Sequence, residues 1–190
     1  MNKFESSLKK YLEIFKDQEM YFVNDLRTLE LFSKTPLNSG KEDVKTKVSA
    51  LNDTDVRTLS LEADMINHIV KLNLDDRLKK NDLSVVEDIA HISAQGKQHH
   101  LLHFASVYCN FHKPDTFPIY SEQYHDFYKK YIVEYNLPLN PKKLNSYEVF
   151  SKALNDLTDR LKLKGKMDYL HLRKFAWLYA ETIVRESKES

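Results

Sequence analysis

A chain of 190 residues that holds only three glycines has few places where it can turn tightly. They stand far apart, at Gly40, Gly96 and Gly165. Glycine supplies the positive φ of tight turns and lets a backbone come close to a phosphate. Three scattered glycines cannot build a P-loop or the Gly-x-Gly-x-x-Gly of a dinucleotide site. With only five prolines beside them, they also fall short of the many turns that a β-sandwich or barrel requires. The expectation is therefore an all-α fold: one globular domain of seven to nine helices.

Charge narrows the partners. Twenty-nine basic and 28 acidic residues give a net +1, which suits neither a strongly electrostatic nucleic-acid binder nor a membrane-surface protein. The balance is uneven, however: from Lys142 to Lys174 there are nine basic and four acidic residues. A single cysteine, Cys109, excludes an intramolecular disulfide and fits a reducing cytoplasm. The first residues, MNKFESSLKKYLEIF, carry charges throughout and lack the apolar core of a secretory signal. No uncharged apolar run approaches the length that spans a membrane, so no membrane partner is expected. No cofactor is expected either.

Helical periodicity is explicit along most of the chain. It predicts an N-terminal helical segment over 1–34, with a helix over 3–16 and a continuation through Phe22, Leu26, Leu29 and Phe32. The main domain then runs over 35–190, after a loop at Lys34–Gly40. Its helices are expected over 41–51 (Val44, Val48, Leu51), over 56–74 with an N-cap in Asn52–Asp55, and through Val85, Val86, Ile89 and Ile92. Residues 75–82 read as a charged connector and 93–97 as a break around Gly96. Residues 98–111 are the most apolar stretch and read as a buried helix. After a proline-bearing loop, helices are expected over 122–135, from an Asn145/Glu148 capping box through Leu161, and from an Asp168 cap onward. Trp177 reads as part of a core contact beside Phe175 and Tyr179.

The chemistry concentrates in 96–128, which holds five of the eight histidines, the cysteine and two prolines. His99 with His103, and Cys109 with His112, offer zinc-type ligands, but their spacing matches no strong zinc signature, so no metal site is assigned. Cys109 as a nucleophile is opposed by its apolar surroundings, which raise a thiol pKa. Tyr120, Tyr124, Phe127, Tyr128 and Tyr131 form an aromatic stripe that suits either a core or the walls of a pocket.

The segment FASVYCNFHKPDTFPIYSEQY, with Leu172–Tyr179 near the end, resembles the signature of a family of small bacterial helical proteins. Its pattern is Phe-Ala-Ser-Lys-Tyr-Cys, then Phe-His-x-Pro, then Phe-Pro-Ile-Tyr-Asp-Ser. That arrangement is similar in turn to the helix-hairpin-helix DNA glycosylases, which place a Gly-Lys hairpin before a buried helix and an Asp at the end of a proline loop. The resemblance implies that Gly96 and its hairpin hold a DNA phosphate, that Lys97 is the Schiff-base lysine and that Glu122 is the nearest carboxylate to the reacting sugar. It further implies DNA contacts from His99 and Lys113, and a base pocket formed by His112, Tyr120, Ser121 and Tyr124. Three positions depart from the pattern. Ser121 stands where the family has Asp, Val107 where it has Lys, and Gly96 has no second glycine beside it.

Lys162, Lys164 and Lys166 alternate around Gly165 in a turn, where they suit either a phosphate backbone or a solvated helix end. The functional expectation is a DNA-associated protein of glycosylase-like architecture, catalytically degenerate, with duplex DNA as partner. The alternatives are a non-enzymatic helical module that assembles with itself or with a protein partner, and an active base-excision enzyme with rearranged residues.

Overall fold

Apolar residues spaced three and four apart become helices that share one core. The computed structural model describes Glu13 and residues 23–52, 59–122 and 125–186. Apart from Glu13, the helix expected over 3–16 lies outside the described residues, as do the cap at 53–55, Val56 and Tyr124. Within them nine α-helices follow in order: α1 (Val23–Lys34), α2 (Lys41–Asn52), α3 (Glu62–Lys71), α4 (Asp75–Lys79), α5 (Val85–Ala90), α6 (Leu102–His112), α7 (His125–Glu134), α8 (Tyr147–Arg160) and α9 (Tyr169–Glu186). A two-stranded antiparallel sheet, β1 (His91–Ala94) and β2 (Lys97–His100), sits between α5 and α6.

The centre is α6. Every residue from Phe104 to Phe111 is buried, and α1, α2 and α5 pack around it. A helix buried on all sides needs an apolar circumference, which is why this stretch lacks a polar stripe. Phe32 of α1 meets Tyr108 edge-on at 5.4 Å and Phe111 at 5.5 Å, which ties the start of the described chain to that centre. Further along, Tyr120 and Tyr128 both pack against Phe150 of α8, at 5.2 and 5.3 Å between ring centres. Asp168 caps α9 by accepting from the backbone N–H of His171 at 2.8 Å. Its position just ahead of the apolar run is where such a cap belongs.

The sheet corrects the expected helices on either side of Gly96. His91-Ile92-Ser93-Ala94 alternates exposed and buried, the period-two pattern of a strand. Gln95 and Gly96 adopt φ of 52° and 74°. Paired left-handed residues of this kind make a two-residue hairpin turn. The register then sets His91 opposite His100, and Ala94 opposite Lys97. The Gly96-Lys97 hairpin is thus a hairpin of strands, with α6 starting only at Leu102.

Other differences are local. The charged connector contains the short helix α4. The expected helix over 56–74 is α3, preceded by a 3-10 turn at Leu59–Leu61. The N-cap of α8 is Ser146 and makes no side-chain cap bond, so Asn145 and Glu148 form no capping box. Trp177 is 41% exposed, although Phe175 and Ala176 just before it are buried. A step of one residue turns a side chain about 100° around the helix.

Candidate functional site

The most connected polar group of the interior gathers on the loop between α1 and α2. Asn38 is fully buried. Its Nδ2 and its backbone N–H both donate to Asp75 Oδ1, at 2.8 and 2.9 Å. With Nδ2 donating, Oδ1 of the same amide is fixed as an acceptor. Three donors reach that oxygen: Lys47 Nζ at 2.7 Å, Tyr108 Oη at 2.5 Å and His112 Nε2 at 3.1 Å. Lys47 spends its other two protons on the carbonyls of Leu37 (2.7 Å) and Thr35 (3.0 Å). All three of its donors are satisfied, and its ammonium also lies over the rings of Phe32 and Tyr108, a favourable place for a cation. Burial pulls the Lys47 amine down to about 8, with Asp75 and Asp43 opposing. Burial, aided by the Lys47 charge, takes His112 down to about 3, so its imidazole is neutral. The cluster holds a loop and three helices together; His112 belongs to it and not to a base pocket.

The residues expected to carry excision chemistry occupy separate settings. Lys97 is exposed beside the β-turn, and Glu122 is exposed after the proline loop. Ser121 is buried, at 6% exposure, where the resembled family carries its aspartate. Tyr120 is buried too, its N–H held by Ser106 Oγ at 2.9 Å and its carbonyl by His103 Nδ1 at 2.6 Å. Phe127, Tyr128 and Tyr131 are buried as well, and Tyr131 Oη donates to Asp156 at 2.9 Å. These described rings of the aromatic stripe are core packing. Cys109 is completely buried and its thiol is pushed far up by desolvation, which makes it inert as a nucleophile.

Of the expected DNA contacts, Lys113 is engaged within the protein: Nζ donates to Asn81 Oδ1 at 2.6 Å and to the carbonyl of Lys79 at 3.1 Å. His99 is half-buried, with Nε2 enclosed. Gly96 lies exposed in the hairpin turn. Lys162, Lys164 and Lys166 are all exposed on the turn from α8 to α9. Buried Leu163 pins that turn, its N–H bonded to the Thr158 carbonyl at 2.9 Å. Lys164 pairs with Asp159 at 2.8 Å.

Among the described residues, one set of three side chains converges as metal ligands would: Glu87 of α5 with His91 and His100 of the hairpin, one ligand atom from each within 4.8 Å of the others. His99, His103, Cys109 and His112 make no such group there. Sequence reasoning passed over Glu87, His91, Asn38, Lys47 and Asp75. Lys47 had a signal: it stands three residues after Val44 in the apolar stripe Val44, Val48, Leu51, which is fully buried, and residues three and four apart share a helix face.

No helix of the described residues is long and apolar enough to cross a membrane. An uncharacterized protein of Haemophilus influenzae is similar to this chain, 26% identical over an alignment of 190 positions that covers 90% of each chain. No solved structure matches. The sequence family described as HI_0787_N, N-terminal domain, matches residues 7–116, a span that contains α1 to α6, the hairpin and the whole Asn38 cluster. By that match over more than half its length, the chain belongs to the HI_0787_N N-terminal domain family.

Proposed function

We propose that this protein docks on duplex DNA through the turn between α8 and α9 and does so without excising bases, as a catalytically degenerate relative of the helix-hairpin-helix glycosylases. The observation that carries this reading is the group Lys162, Lys164 and Lys166, three exposed cations within five residues on a turn whose position a buried leucine fixes. Contact with a phosphate backbone needs clustered positive charge at a fixed position and no base-edge geometry. A Cβ placed on Gly165 would meet nothing within 4 Å, so the crest of the turn stands clear for an approaching strand. The absence of excision is supported by buried, uncharged Ser121 at the aspartate position, since a hydroxyl cannot offset the positive charge that develops on the sugar.

Fluorescence anisotropy on a labelled duplex, titrated between low and physiological salt, tests the reading. Each phosphate contact contributes about −0.9 to the slope of log K against log salt, so replacing all three lysines by alanine should flatten the slope by about 2 to 3. No binding at low salt, or a slope that the triple variant leaves unchanged, would overturn the docking surface. Base release from oligonucleotides carrying damaged bases would overturn the absence of chemistry.

A further inference from the structure

We infer that Glu87, His91 and His100 form a binding site for a divalent transition metal of the zinc class, separate from the basic turn. Two imidazoles and one carboxylate are a donor set that zinc accepts, with a coordination position left for water or a substrate oxygen. The three groups stand on ordered elements. Glu87 is four residues before His91, one helical turn away, and His100 is the strand partner of His91 across the hairpin. A slip of one residue in that register would carry His100 to the opposite face of the sheet, so the left-handed Gln95-Gly96 turn sets the site.

The surrounding hydrogen bonds orient the ligands. Glu87 Oε1 accepts from the backbone N–H of Tyr147 at 3.1 Å, while Oε2 lies 2.9 Å from His100 Nε2 and 3.6 Å from His91 Nδ1. His91 Nδ1 also lies 2.9 Å from the Glu87 carbonyl. That carbonyl can only accept, so Nδ1 carries the proton without metal, and the proton moves to Nε2 when Nδ1 takes the ion. The two rings stack at 4.3 Å and 28°, and one ligand atom from each lies within 4.8 Å of the other and of the carboxylate. Tetrahedral zinc spaces its nitrogen and oxygen ligands about 3.4 Å apart, so the His100–Glu87 pair opens by about half an ångström as the ion replaces the proton between them. All three side chains are partly exposed, which leaves an entry path.

Isothermal titration of the untagged full chain with zinc chloride tests the site. The expected result is one equivalent bound with a micromolar or tighter Kd, weakened at least tenfold in each of Glu87→Gln, His91→Ala and His100→Ala. His68→Ala, a histidine outside the cluster, should bind as the parent does. Circular dichroism on each variant confirms that it is folded, and His91→Gln keeps the hairpin's polarity where alanine disturbs it. No binding at micromolar zinc, or equal affinity in folded His91 and His100 variants, would overturn the inference.

Discussion

Lys47 and Tyr108 donate to one and the same oxygen, Asn38 Oδ1, at 2.7 and 2.5 Å. They come from α2 and α6, and the shared acceptor belongs to the loop between α1 and α2. An amide oxygen offers two lone pairs, and here His112 competes for them as well. Removing the amide strands a buried cation, a phenol and an imidazole together. Asn38→Ala should therefore cost about 3 to 5 kcal/mol, the range for breaking a buried charged network. Tyr108→Phe removes one donor from an oversubscribed oxygen and should cost less, about 1 kcal/mol. Urea unfolding of the two variants and of their double mutant measures both, and a coupling near zero would show that the bonds act independently.

His112 gives the stability of the fold a pH dependence. Its folded pKa is depressed to about 3 from the ordinary 6.5. Between these values the unfolded chain binds a proton that the folded chain refuses, so stability rises with pH through this window and falls as the solution is acidified. The contribution is a few kcal/mol, nearly complete at pH 7. His112→Gln keeps a neutral donor toward Asn38 and removes the titration, so its stability should vary less between pH 4 and 7 than that of the parent. Equal slopes in urea titrations across that range would refute the assignment.

Placing at Ser121 the aspartate of the glycosylase pattern that the sequence resembles should not create excision chemistry. Ser121 is 6% exposed and precedes the exposed carboxylate of Glu122. Ser121→Asp would place a carboxyl where the buried hydroxyl now sits, and desolvation would destabilise the fold or hold the new carboxyl protonated. Either way it should release no base from damaged oligonucleotides. Borohydride reduction on an abasic duplex should likewise trap no adduct at Lys97, and a trapped adduct lost in Lys97→Ala would return the active-enzyme alternative to first place.

The helices were legible because their apolar spacing is a property of local sequence: Val44, Val48 and Leu51 are all fully buried, as their period requires. The hairpin was not, because His91 to Ala94 is too short for its alternation to compete with the helical pattern that runs into Ile92. One consequence followed. His91 and His100 could not be seen as neighbours, since strand pairing joins them across nine positions. The Asn38 cluster was hidden for a related reason: Asn38, Asp75 and Tyr108 are far apart in sequence, and only Lys47, intruding on an apolar stripe, hinted that a buried polar group awaited it. The basic turn was legible throughout, because Lys162 to Lys166 are contiguous.

The scarcity of glycine makes the remaining ones informative. Gly96 and Gly165 adopt φ of 74° and 72°, and a Cβ at either would meet no atom within 4 Å. Alanine at these positions would therefore be penalised by backbone conformation alone, about 1 to 2 kcal/mol each, with no steric term. The two variants should separate the two proposed surfaces. Gly96→Ala strains the turn that holds the His91–His100 register and should weaken zinc binding while leaving the salt dependence of DNA binding intact. Gly165→Ala strains the turn that presents the three lysines and should do the reverse. Loss of both activities in either variant would mean that the sites are not independent, and equal stability to the parent would show that the positive φ is not required at that turn.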